Sequence, residues 1–173
     1  MKPIIFLDID GVLTTNTEYS RPRTKFWAKY DIAKQLHIPY PFNAKCVAVF
    51  NSILEEIDVD IVLTSDWKLH YTLEEMDTIF KFNSVAKSPM DTTEISPISF
   101  TNYDKNRAHE IDIYRQKHKI THYVIIDDLD LEHYVPKERF VKTIEREGIK
   151  QSNVKQKILN ILRNEQEQKK ADN

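Results

Sequence analysis

Glycine is nearly absent. The 173-residue chain contains two, Gly11 and Gly148. A Walker A loop needs two close together ahead of its lysine, a dinucleotide fingerprint needs two or three, and a nucleophile elbow needs two flanking a serine. None of these can be assembled, which excludes a typical P-loop NTPase, dinucleotide-dependent dehydrogenase or α/β-hydrolase. The single cysteine, Cys46, excludes an internal disulfide and a multi-cysteine zinc site, and its apolar neighbours suit a small packed hydrophobe. No apolar run approaches the ~20 residues of a membrane span. Asp8 and Asp10 arrive before any long apolar stretch, unlike a secretory leader, so a soluble cytoplasmic protein of a reducing compartment is expected. Neither charge sign dominates. With 25 Lys and Arg against 27 Asp and Glu, the formal net charge is −2, and global charge gives no reason to expect a nucleic-acid binder.

What is present suits one globular domain. Hydrophobic residues make up 40% and the aromatics are eight Tyr, eight Phe and two Trp, too many for a disordered chain. Ile4 to Leu7 is a continuous apolar run, as in a strand buried on both faces, and it ends in Asp8-Ile9-Asp10-Gly11. Ile61 to Leu63 ends in Thr64-Ser65-Asp66, and Tyr123 to Ile126 ends in Asp127-Asp128. Weaker strand candidates are 139–143 and the short Ser84 to Lys87. Helical spacing relates Val47, Phe50, Leu54 and Ile57, then Ile111, Tyr114 and His118, then Val154, Ile158, Ile161 and Leu162. Thr72-Leu73-Glu74-Glu75 is a capping box. This alternation predicts an α/β fold: a three-layer sandwich around a mainly parallel five-stranded sheet. Residues 1–163 form the domain in this reading, and 164–173 a polar, frayed tail. Residues 12–43, rich in aromatics and prolines, are long for a loop and are read as a small insertion.

Three strands therefore end in groups able to do chemistry. In open parallel sheets ligands bind beyond the carboxyl ends of the strands, so Asp8, Asp10, Ser65, Asp127 and Asp128 should approach one crevice. An Asp after a strand is ordinarily a cap or turn residue. Asp8, however, interrupts an apolar strand at its buried end, which is costly unless its charge is compensated. Clustered carboxylates repel one another, and an oxygen-only set favours a hard cation such as Mg²⁺.

The Asp8-Ile9-Asp10-Gly11-Val12 segment resembles the first motif of the haloacid dehalogenase (HAD) superfamily. Ser65, with Thr64 as the alternative, resembles the second motif. Lys105 or Arg107 resembles the basic third, and Asp127-Asp128 the acidic fourth. Ser65-Asp66-Trp67-Lys68, Arg107-x-x-Glu110-Ile111 and Ile126-Asp127-Asp128 further resemble the small HAD domains associated with RNA-repair proteins. The resemblance implies a Rossmann-like sheet of order 5-4-1-2-3 and a phosphomonoester hydrolase. In it Asp8 is the nucleophile that forms an aspartyl-phosphate, and Asp10 is the acid and base. Gly11 permits the turn between strand and loop. Ser65 donates to a phosphoryl oxygen, and Lys105 or Arg107 neutralises charge. Mg²⁺ is held by Asp8, the Asp10 carbonyl and Asp127 or Asp128. Lys105 has the family's usual residue type, whereas Arg107 has the better spacing to Glu110. Asp128 fits one common alignment of the fourth motif and Asp127 another.

Residues 19–30 carry Arg21, Arg23, Lys25 and Lys29 among Tyr19, Phe26, Trp27 and Tyr30, with no acid. Such interleaving suits the grip of phosphates and the stacking of a base, although a solvated insertion has the same composition. Trp67 either lines the substrate pocket or packs. The expected partner is a phosphorylated substrate, either a nucleotide or a nucleic-acid end, with no membrane and no oligomeric state specified. The alternative is a non-catalytic HAD-fold module that binds phosphate. His118 and His122 lack a third ligand at metal-site spacing.

Overall fold

The computed structural model of the chain describes residues 2–97 and 101–171, with side chains described through Asn164. Five strands form one parallel sheet in the order β3-β2-β1-β4-β5, as expected. They are β1 (Ile4–Leu7), β2 (Asp60–Leu63), β3 (Asp91–Thr92), β4 (Tyr123–Asp127) and β5 (Phe140–Lys142). Every residue of β1 is buried, because helices cover both faces of the sheet. Ile5, Leu7, Ile61, Leu63, Val124 and Ile126 form one face. It packs on α4 (Ala44–Glu56), α5 (Leu73–Phe82) and α7 (Val154–Ala171). Ile4, Phe6, Val62, Tyr123 and Ile125 form the other face, against Ile111 and Tyr114 of α6 (Tyr103–Lys117). Burying a phenylalanine such as Phe50 or Phe80, each 0% exposed, contributes roughly 1.5–3 kcal/mol.

Register places the chemistry. Leu7 pairs with Leu63 on one side and Ile126 on the other. The next residues, Asp8, Thr64 and Asp127, therefore stand side by side. Backbone bonds continue there, Asp8 N donating to Ile126 O at 3.0 Å and Thr64 N to Leu7 O at 2.9 Å. Side chains alternate along a strand, so Asp8 follows Phe6 and Asp127 follows Ile125 onto the face beneath α6.

Helix starts follow local chemistry. Asn43 accepts from Lys45 N and Cys46 N, and Asn102 from Lys105 N. Thr72 and Glu75 form the expected reciprocal box. The proposed strand at Ser84 to Lys87 does not form. Ser84 has φ +60°, a left-handed conformation that ends α5, and the edge strand is made later by Asp91 and Thr92. At the polar C-terminal end α7 continues to Ala171, while residues 172–173 lie outside the described residues.

The 12–43 segment folds as three short helices, α1 (Asn16–Tyr19), α2 (Arg23–Lys29) and α3 (Asp31–Gln35). Its inner side seats on the body, while residues 20–25 and 28–31 are exposed. Glu18 is buried, and Asn43 Nδ2 donates to it at 3.2 Å. Trp27 Nε1 donates to Ile38 O at 2.7 Å, and Phe26 meets Phe82 at 6.1 Å between centroids. Trp27 thus packs against the core and is pinned by its indole N–H. Among the described residues no helix is long and apolar enough to cross a membrane.

Candidate active site

Arg107 organises the acids at the strand ends. Its Nη1 lies 2.8 Å from Asp127 Oδ2 and 3.2 Å from Asp8 Oδ1, and its Nη2 lies 3.3 Å from Asp66 Oδ1. Tyr103, one turn earlier on α6, contacts the same guanidinium at 3.2 Å and donates to Asp66. Burial alone disfavours a charged Arg107. The flanking Asp8 and Asp127 outweigh it and hold the guanidinium protonated. Asp127 spends its other oxygen on Leu129 N at 3.0 Å.

Asp10 has neutral donors instead. Trp67 Nε1 donates to Oδ2 at 3.0 Å, while Tyr40 Oη at 3.0 Å and Thr14 Oγ1 at 3.1 Å donate to Oδ1. Burial, then the charge of Asp8, pushes the Asp10 carboxyl above its usual range, against the pull of these three donors. Gly11 creates the turn. Its φ is +69°, and a Cβ there would meet Asp128 Oδ2 at 2.3 Å. Its N–H donates to Tyr19 Oη at 2.7 Å, and its carbonyl accepts from Thr143 Oγ1 at 2.7 Å.

Two cavities meet at Asp10 and Asp66. The smaller, of about 190 Å³, is lined by Asp8, Asp10, Ser65, Asp128, Tyr103 and Arg107 among others. The larger, of about 560 Å³, is walled by Tyr40, Trp67, Tyr71, His37, His70 and Arg23. The larger is a cleft beside the acids, not the place where they converge.

A hard cation fits the acids. Oxygens of Asp8, Asp127 and Asp128 lie within 4.8 Å of one another, the only such group among the described residues. With one guanidinium, these three carboxylates would leave two negative charges in a poorly solvated space, so the cluster either keeps protons or takes up a cation. Burial, and then Asp8, raises Asp127 to about 7 and Asp128 to about 6. Both folded values exceed the ordinary 3.8. The native protein therefore retains protons that the unfolded chain releases, and this stability is lost as pH rises through the two folded values. In chelator, Asp128→Asn should thus melt increasingly above the wild type between about pH 4 and pH 7. A melting difference that stays flat or shrinks across that range contradicts the assignment.

Of the residues the sequence singled out, Asp8, Asp10, Gly11, Ser65, Arg107, Asp127 and Asp128 converge. Trp67 both packs and lines the cleft. Lys105 does not join them: it is exposed, two residues and more than half a helical turn from the buried stripe of Arg107, Ile111 and Tyr114. Thr64 is fully buried outside the cavity, its Oγ1 without a hydrogen-bond partner among the described residues. Arg23 borders the cleft, whereas Arg21 lines a different groove. His122 is buried with Nε2 2.8 Å from Leu162 O, and His118 stacks on Tyr114.

Sequence reasoning missed Thr14, Tyr40 and Tyr103, and it named Tyr19 only among the aromatics of 19–30, not as a partner of Gly11 N. It quoted Lys68 and Glu110 without a role; they form a buried ion pair that ties the turn after β2 to α6, with Lys68 Nζ also donating to Thr93 at 2.8 Å. Their signal was a lysine and a glutamate inside otherwise recognisable motifs.

No curated protein and no solved structure matches the chain. The family model of the HAD domain in Swiss Army Knife RNA repair proteins matches residues 4–154, which spans all five strands and every acid of the site. With the five-stranded parallel sheet of order 3-2-1-4-5 and the acidic strand ends, the match places the chain in a hydrolase superfamily, and it belongs to the family of HAD domains found in Swiss Army Knife RNA repair proteins.

Proposed function

We propose that the chain is a Mg²⁺-dependent phosphomonoester hydrolase acting through an aspartyl-phosphate. One observation carries the reading: two carboxylates two residues apart share a pocket yet have opposite surroundings. Asp8 faces a guanidinium, whereas Asp10 is held by an indole, a phenol and a hydroxyl. The first arrangement sets a counter-charge beside the nucleophile, and the second, raised by burial, keeps an acid able to carry a proton.

Asp8 Oδ attacks phosphorus and the bond from phosphorus to the ester oxygen breaks. Asp10 gives its proton to that oxygen. Asp10, now a base, takes a proton from the water that attacks the same phosphorus and frees Asp8. Ser65 donates to a phosphoryl oxygen, and Arg107 offsets charge as Asp8 changes its own. Asp8, Asp128 and Asp127 would hold Mg²⁺, which supplies the positive charge that lets an anionic nucleophile approach an anionic phosphate. Asp127 already has both oxygens engaged, so Asp128 has the freer carboxylate.

The leaving group departs on the Asp10 side, where the 560 Å³ cleft opens. Tyr40, Trp67, Tyr71 and Arg23 suit a nucleoside, and the family's association with RNA repair favours a nucleotide or a nucleic-acid end as substrate. The 12–43 insertion forms the cap of this cleft.

Asp10→Asn separates the roles. Hydrolysis of an alkyl phosphate should fall by about 10²–10⁴, and that of p-nitrophenyl phosphate, whose leaving group needs little protonation, by much less. Equal losses on both substrates would remove Asp10 from the acid role.

A further inference from the structure

A third cavity, of about 410 Å³, lies outside the site described above. Arg21, Lys25 and Lys29 line it, with Phe26, Tyr30 and Phe82 as its aromatic wall. All three cations are exposed, and no carboxylate among the described residues lines the groove. Arg21 has only a long contact to Glu18, at 3.8 Å. In a chain of net charge −2 this is a concentrated exception. Tyr30 is 38% exposed and meets Phe26 and Phe82 edge-on at 5.6 and 5.4 Å.

The groove and the catalytic cleft share their dividing wall. At 100° per residue, α2 turns Pro22, Lys25, Phe26 and Lys29 to one side and Arg23 and Trp27 to the other. The structure follows this, with Arg23 on the cleft and the first four on the groove. The 39–41 segment divides likewise, Pro39 and Tyr40 facing the cleft and Pro41 the groove. A ligand that leaves the cleft across α2 therefore reaches three cations and an aromatic wall.

We propose that this groove binds the internal nucleotides of a single-stranded polynucleotide whose phosphorylated end lies at Asp8, an assignment that rests on the phosphohydrolase reading. Cations alternating with exposed ring faces or edges suit a strand's backbone and bases. An acidic peptide would use the charges and leave the aromatic wall unexplained.

The test measures anisotropy of a labelled short single-stranded RNA on Asp8→Asn protein in EDTA, so that no turnover is needed. Adding K25E/K29E, two changes at exposed positions, should weaken binding about tenfold or more. It should also flatten the slope of log affinity against log salt by about 1.4, since each single-strand phosphate contact contributes about 0.7. Tyr30→Ala should weaken binding roughly tenfold through lost stacking. Unchanged affinity in K25E/K29E, checked for folding by circular dichroism, overturns the proposal. So does polyglutamate that competes as well as RNA of equal charge, which would indicate an acidic protein partner. Wild-type protein supplies the separating control. RNA binding without phosphate release from any phosphomonoester defeats the hydrolase reading alone. Phosphate release with equal KM for a nucleotide and an oligonucleotide defeats the groove alone.

Discussion

Asp8→Asn protein is expected to release phosphate at no more than about 10⁻⁴ of the wild-type rate, while melting at or above the wild-type temperature in chelator. The amide is nearly isosteric with the carboxylate, so the fit between β2 and β4 is kept. It is a poor nucleophile, however, and has no charge to attack with. Stability should not suffer, because Asp8 is one of three carboxylates crowded around a single guanidinium, and Asp8 itself raises Asp10, Asp127 and Asp128. Removing its charge relieves that repulsion. A folded Asp8→Asn protein that turns over at the wild-type rate would end the mechanism. One that melts far below the wild type would show that Asp8 is first a structural partner of Arg107.

Replacing Arg107 should have the opposite signature. Arg107→Met keeps much of the stem's packing but leaves Asp8 and Asp127 buried without a counter-charge. Breaking one side of a buried ion pair costs about 3–5 kcal/mol, and the loss should be clearest by denaturant titration near neutral pH in chelator. It should shrink towards about pH 5, where Asp127, raised to about 7 by burial and by Asp8, takes up a proton. Phosphate release should fall by a factor on the order of 10²–10³ through lost charge stabilisation. Lys105→Ala, on the exposed side of α6, should stay within about 0.5 kcal/mol of the wild type and retain its rate. If the Lys105 variant loses activity and the Arg107 variant retains it, the third motif has been placed on the wrong residue.

The sequence left Lys105 and Arg107 open as the third motif, although helical spacing does tell which of the two is buried. Ile111 and Tyr114 define the buried stripe of α6, and four residues before Ile111 stands Arg107, not Lys105. Residue type favours the lysine, whereas helical geometry buries the arginine beside Asp8 and Asp127. The central strands were legible, because burial on both faces demands unbroken apolar runs. The edge strand was not: β3 is two polar residues, Asp91 and Thr92, held by backbone bonds such as Thr93 N to Leu63 O at 2.9 Å, and it has no apolar pattern. The environment of Asp10 was out of reach for a different reason. Tyr40 and Trp67 approach it from 30 and 57 residues away. They meet only because the 12–43 insertion folds down beside the turn after β2, and no local periodicity encodes that meeting. The same holds for the division of the basic segment 19–30, whose charges share a composition but part to opposite sides of α2.

The central claim is that phosphorus becomes bonded to Asp8. Borohydride reduces an acyl phosphate to an alcohol, so quenching a turning-over reaction with it should convert Asp8 to homoserine, read by peptide mass spectrometry. The account predicts this product at position 8 in wild-type protein with substrate and Mg²⁺, and its absence with EDTA, without substrate, or in Asp8→Asn. Steady phosphate release with position 8 unmodified, or with the reduced residue elsewhere, would contradict it.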